Sequence, residues 1–149
     1  MMKKYMIACL SLLVSAHAVA FGSQNEWSSG GAQGTTEYII LGQGQSALYF
    51  GCSPDANTFV QYTDPAGNVL SSMDNGHAVY ASIDGKEPVL INDTFSHAGG
   101  SNFELFWQQL RAGKRVVITA DKLQSADFSL TGAARVLPKL EKSDCLTLQ

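Results

Sequence analysis

Few side chains in this sequence have the type and spacing to do chemistry. His77, His97, Cys52, Cys145 and the aspartates Asp55, Asp74, Asp84 and Asp93 are the first to weigh. Hydrolysis of the Ser-His-Asp kind needs a histidine beside a nucleophile and a carboxylate, with donors for the oxyanion. His97, in Ser96-His97-Ala98-Gly99-Gly100-Ser101, is the most site-like spot by composition. Ser46, in Gly44-Gln45-Ser46-Ala47-Leu48, lacks the trailing glycine of a nucleophile elbow. The two histidines are not at i, i+4 spacing, and the aspartates sit in separate turns rather than in a dense calcium loop. Gly42-Gln43-Gly44 is too short for a dinucleotide loop. The residues thus read as a non-enzyme with no cofactor and no metal, and what remains is surface recognition. Tyr62, Tyr80, Asp93 and His97 are the candidate binding surface. A tyrosine on an exposed sheet face is equally at home without a partner.

Cysteine usage bears on the compartment. Cys9 falls in the N-terminal segment, which leaves Cys52 and Cys145. An even count in an exported chain reads as a disulfide, the alternative being two buried free thiols. Their spacing is not that of a C-x-x-C redox pair.

The segments that must position these residues are mostly extended. Tyr38-Ile39-Ile40-Leu41 and Ala47-Leu48-Tyr49-Phe50-Gly51-Cys52 flank a glycine-rich turn and predict a hairpin. Thr58 to Thr63 alternates and ends at Asp64-Pro65-Ala66-Gly67, a turn signal. Val69-Leu70 begins a further short strand. Ala78 to Ile83 runs into Asp84-Gly85, suited to a tight turn, and Val89-Leu90-Ile91 returns. Asp93 to Gly100 reads as a loop. Ser101 and Glu104 form a capping box, and Phe103, Phe106, Trp107 and Leu110 make one helix face that ends at Gly113. Arg115 to Ala120 and Ala126 to Leu130 form two last strands, and Ala133 to Leu137 is a short helix. The expected fold is mainly β: an antiparallel β-sandwich or small barrel with one amphipathic helix and a short C-terminal helix.

The ends and the charge set the context. Lys3-Lys4, the apolar run from Met6 to Val14 and Ala18-Val19-Ala20 have the layout of a secretory signal peptide over residues 1–20, with the mature chain starting at Phe21. Residues 21–36, polar and rich in Gly and Ser, read as a flexible lead-in, with Trp27 expected to pack back on the domain. Residues 37–149 form a single β-rich domain. Cleavage removes two of the ten basic residues and none of the thirteen acidic ones, so the formal charge falls from −3 to −5. A mildly acidic domain without a basic run is a poor binder of nucleic acid or anionic membranes, and no membrane insertion is expected after cleavage.

The C-terminal third carries a resemblance. A helix with Phe106 and Leu110 leads into Gly113-Lys114-Arg115-Val116-Val117-Ile118, then Phe128-Ser129-Leu130-Thr131-Gly132-Ala133-Ala134, then Cys145. This resembles the C-terminal half of small exported proteins related to invasion-associated locus B, and the accessory proteins found beside type VI secretion systems. Cys52 fits the earlier cysteine to which the final one bridges in those families. Asn92-Asp93-Thr94 stands where the accessory family has a tryptophan before the helix. The resemblance implies an exported β-rich fold that is periplasmic or secreted. The function expected is binding of another envelope or secreted protein, as an accessory factor of a secretion or host-interaction (virulence) system. The alternative is an immunity protein or inhibitor that blocks a toxin or cell-wall hydrolase.

Overall fold

Alternating apolar residues and glycine-rich turns build the first sheet as a meander. The computed structural model describes residues 21–148, so the signal-peptide reading of residues 1–20 lies outside the described residues. Strands β1 (Ser28–Ala32), β2 (Thr35–Leu41), β3 (Ala47–Ser53), β4 (Ala56–Thr63) and β5 (Val69–Ser71) pair antiparallel in chain order. The second sheet has the order β7-β6-β8-β9, from β6 (Val79–Ile83), β7 (Val89–Leu90), β8 (Arg115–Ala120) and β9 (Ala126–Ser129). Helix α1 (His97–Ala112) connects β7 to β8, and α2 (Ala133–Val136) and a 3-10 turn (Leu140–Lys142) follow β9. The fold is mainly β, in two antiparallel sheets rather than a closed barrel.

Two expectations need correction. Within the segment read as a flexible lead-in, Ser28–Ala32 is strand β1, in register with Thr35 to Ile39. Its Ser and Gly residues disguise it, because they offer no apolar alternation; an edge strand needs none on its outer face. Helix α1 starts one turn before Ser101. Ser96 is the N-cap: its hydroxyl accepts from Gly99 N–H at 3.0 Å and donates to Asp93. Gly99 and Gly100 therefore lie inside the helix, where glycine is ordinarily unfavourable. Both are buried, and a Cβ would collide with the Asp93 carbonyl at Gly99 and with the Leu148 carbonyl at Gly100. Close approach, not turn formation, explains the glycine pair. Ser96→Ala should cost about 1 kcal/mol of stability, the usual worth of a cap, and Ser101→Ala only a few tenths. Urea midpoints of the two variants measure this, and a larger loss at Ser101 would restore the later helix start.

The apolar face of α1 seats the core. Phe103, Phe106 and Trp107 surround Phe50 of β3, with ring centroids 5.9, 5.8 and 5.6 Å from it. Trp27 stacks on the same ring at 5.7 Å and is buried, as its type suggests. Tyr38 meets Trp107 edge-on.

The two sheets are clasped by the backbone of Gln124, in the β8–β9 connection. Its carbonyl accepts from the Tyr62 hydroxyl at 2.6 Å, and its N–H donates to Asp64 at 3.1 Å. Asp64 is buried and also accepts from Ala66 N–H, Asn68 N–H and the Asn68 amide. Burial pushes its pKa up, but the bonds from the Asn68 side chain and from the Gln124, Asn68 and Ala66 N–H groups outweigh this and hold it below the ordinary carboxylate value. A depressed folded-state pKa adds stability above the unfolded value, near 3.9, that is lost as pH falls through the folded pKa. Asp64→Asn should therefore lower the urea midpoint at pH 7 and flatten its decline on acidification below about pH 4. Parallel midpoint-against-pH curves for the two proteins would sink this account.

The C-terminal tail closes the remaining open edge. β5 covers β4 only from Gln61 to Thr63, so the earlier residues of β4 need other partners. Ser72 takes Val60: its N–H donates to the Val60 carbonyl at 2.8 Å, and its hydroxyl accepts from Val60 N–H at 3.2 Å. The Leu146 carbonyl accepts from both Thr58 N–H (2.7 Å) and the Thr58 hydroxyl (2.8 Å). The buried Thr94 hydroxyl donates to the Thr58 carbonyl, and Leu148 N–H donates to the Thr94 carbonyl. The Cys52–Cys145 disulfide, spanning 93 residues of sequence, holds the tail in this position.

Candidate functional site

Of the residues read as a binding surface, the structure brings two together, places one nearby and buries the fourth. Tyr80 and Asp93 line a groove of about 590 Å³ between the β5–β6 connection and the loop before α1. His97 is exposed at the first position of α1, outside the groove lining. Tyr62 is fully buried and belongs to the inter-sheet clasp, so it is no surface residue. Burial raises the Tyr62 hydroxyl pKa to about 12, with the Asp64 charge adding to the effect.

The groove is built on a loop fixed at both ends. Asp74 accepts from Ser71 N–H (2.7 Å) and from the Ser71 hydroxyl (3.1 Å) through one carboxylate oxygen. Buried Asn92 accepts from Val79 N–H at 2.9 Å and donates to the His77 carbonyl at 2.9 Å. Asp121, from the β8–β9 connection, accepts from Ala78 N–H at 3.1 Å.

Apolar side chains are presented on this fixed frame. Met73, Phe95 and Tyr80 are 66%, 53% and 40% exposed, and all three border the groove with Leu90. Single exposed apolar residues are normal on any surface; here three of them surround one concavity. Asp74 and Asp93 supply negative charge, His77 is the one basic side chain in the lining, and among the described residues no Lys or Arg lines the groove. The Ser96 hydroxyl bond, against some desolvation and with help from the Phe95 and Ser96 N–H groups, holds the Asp93 pKa below the ordinary range. Asp93 is therefore ionised at neutral pH.

Sequence reasoning missed Met73 and Phe95. The available signal was a large apolar residue inside a turn, Ser72-Met73-Asp74-Asn75-Gly76, and another beside a helix cap, Phe95-Ser96. Neither position has a local reason to be apolar.

The Ser96 hydroxyl is committed to the helix cap, and His97 forms no hydrogen bond to it. Among the described residues, no three His, Cys, Asp or Glu side chains converge as metal ligands. A second groove of about 570 Å³ runs between α1 and the C-terminal segment. Its charges are of both signs, from Glu104, Arg111, Lys139 and Glu141. Trp107 and Arg111 there donate to the Pro138 and Leu137 carbonyls, which docks the C-terminal segment on the helix.

Fold and groove together define a small, disulfide-tied, two-sheet domain with an acidic and apolar groove. The YfjT family model matches residues 25–137, and the chain belongs to the YfjT family. The matched span runs from just before β1 to the end of α2 and contains the whole groove. Comparison with curated proteins returns no match, and neither does comparison with solved structures. No helix among the described residues is long and apolar enough to cross a membrane.

Proposed function

We propose that this chain is an exported, non-enzymatic protein-binding domain that receives its partner in the Met73–Tyr80–Phe95 groove. The observation that carries the reading is three exposed apolar side chains around one concavity whose loop is pinned by Asp74, Asn92 and Asp121. A preformed surface loses little entropy on binding, and aromatic side chains are the usual anchors of protein interfaces. The disulfide suits an oxidising compartment, which supports a periplasmic or secreted location. The role proposed is that of an accessory factor in a secretion or host-interaction system. The acidic lining favours one second reading, an immunity protein or inhibitor that covers a basic site on a toxin or cell-wall hydrolase.

Capture of partners from envelope extracts by tagged mature protein, quantified by mass spectrometry, tests the groove. Wild type should retain a partner stoichiometrically. Met73→Ala/Phe95→Ala should lose it by about thirtyfold or more, the size of a hot-spot loss. Leu105→Ala, exposed on α1 and outside the groove, should retain it. Equal capture by the groove variant, or no partner for the wild type, would overturn the proposal.

A further inference from the structure

Resting on that reading, we infer that the partner inserts a cationic side chain flanked by apolar residues, arginine above all, into the groove. The lining pairs two carboxylates, Asp74 and Asp93, with an apolar wall of Met73, Tyr80, Leu90 and Phe95. An anionic or purely polar occupant would meet net negative charge there, since among the described residues no Lys or Arg lines the groove and its one basic side chain is His77. A purely apolar occupant would desolvate the carboxylates without pairing them.

A cation on an apolar stem satisfies both parts. Its methylenes lie along Met73 and Leu90, and its charge meets the carboxylates and the ring faces of Tyr80 and Phe95. Asp74 is oriented for this. One of its oxygens is held by Ser71 N–H and the Ser71 hydroxyl, while the other carries no hydrogen bond among the described residues. A guanidinium exceeds an ammonium here because its planar fork matches a carboxylate and stacks on rings. Asp121, which pins Ala78, adds a third carboxylate beside the same loop, and the charge of −5 on residues 21–149 steers a basic segment toward it.

The probes are short synthetic peptides with a central Arg, Lys, Ala or Glu between Leu and Trp residues. Binding to the purified, oxidised mature protein is read by fluorescence anisotropy at low and high salt. Arg-centred peptides should bind at least about tenfold more tightly than Ala-centred ones, Lys-centred ones less so, and Glu-centred ones not at all. High salt and Asp74→Asn, whose amide oxygen can still accept the two Ser71 bonds, should each remove most of that preference. Equal binding of Ala- and Arg-centred peptides, preference for Glu, or no binding by any peptide would overturn the inference. The two readings fail separately. If Met73→Ala/Phe95→Ala abolishes partner capture but peptides show no charge preference, the groove stands and the cation is wrong. If that variant captures the partner undiminished, the groove itself is wrong.

Discussion

Phe50→Ala is expected to destabilise the domain by about 3–5 kcal/mol, a large share of the roughly 5–15 kcal/mol typical of a domain this size. Phe50 is fully buried and is the one ring shared by Trp27, Phe103, Phe106 and Trp107. Truncation removes the transfer energy of the ring and leaves a cavity that four large side chains from two other segments cannot easily fill. Because these rings join α1 to the first sheet, the loss should appear as a lower urea midpoint with α1 and β3 melting together. Phe50→Leu, which keeps most of the volume, should recover over half of the loss. A stability loss below about 1 kcal/mol for the alanine variant would mean that the aromatic cluster is not what holds helix and sheet together.

Loss of the disulfide should rank next. Cys52→Ala/Cys145→Ala opens a loop of 93 residues, and the chain-entropy model places its worth at roughly 4–5 kcal/mol, the upper part of the usual range. A local effect is expected beyond the entropic one. The tail after Cys145 supplies the Leu146 carbonyl that takes both Thr58 donors, and Leu148 N–H bonds the Thr94 carbonyl. In native-state hydrogen exchange, Thr58 N–H should lose more protection than Tyr62 N–H, which lies on the same strand where β5 covers it. Equal loss at both residues would assign the effect to the unfolded chain alone, and coincident midpoints for variant and wild type would remove the bridge from the stability account.

Much of this fold was legible because its signals are local. Apolar patterning marked β3, β4, β6 and β8 to within a residue or two and β2 only from Tyr38, three residues after its start, and Asp84-Gly85 marked its turn, where both residues do take positive φ. The i, i+3, i+4, i+7 pattern identified the buried face of α1. Cysteine parity identified the Cys52–Cys145 bridge. Even the placing of the tyrosines was present in the alternation. Tyr62 shares a face with Thr58 and Val60, which are buried, whereas Tyr80 alternates with Val79, Ala81 and Ile83 and points the other way.

What the sequence by itself determined, then, is the set of strands, the helix face, the disulfide and the acidic charge, since each depends on residues within a turn or two of one another or on simple counts. Tertiary structure alone decided the rest. Strand β1 exists because β2 offers it a ladder, not because Ser28–Ala32 favours extension. Helix α1 begins at His97 under the Ser96 cap, and Asp93 and Leu148 lie so close to Gly99 and Gly100 that only glycine fits there, although the pair reads locally as a loop signal. The groove exists because Asn92 and Asp121 tie the Ser72–Ala78 connection to distant strands, bringing Met73 beside Phe95. Such contacts draw their free energy from closing long loops around a core, and no propensity of the individual segments encodes that.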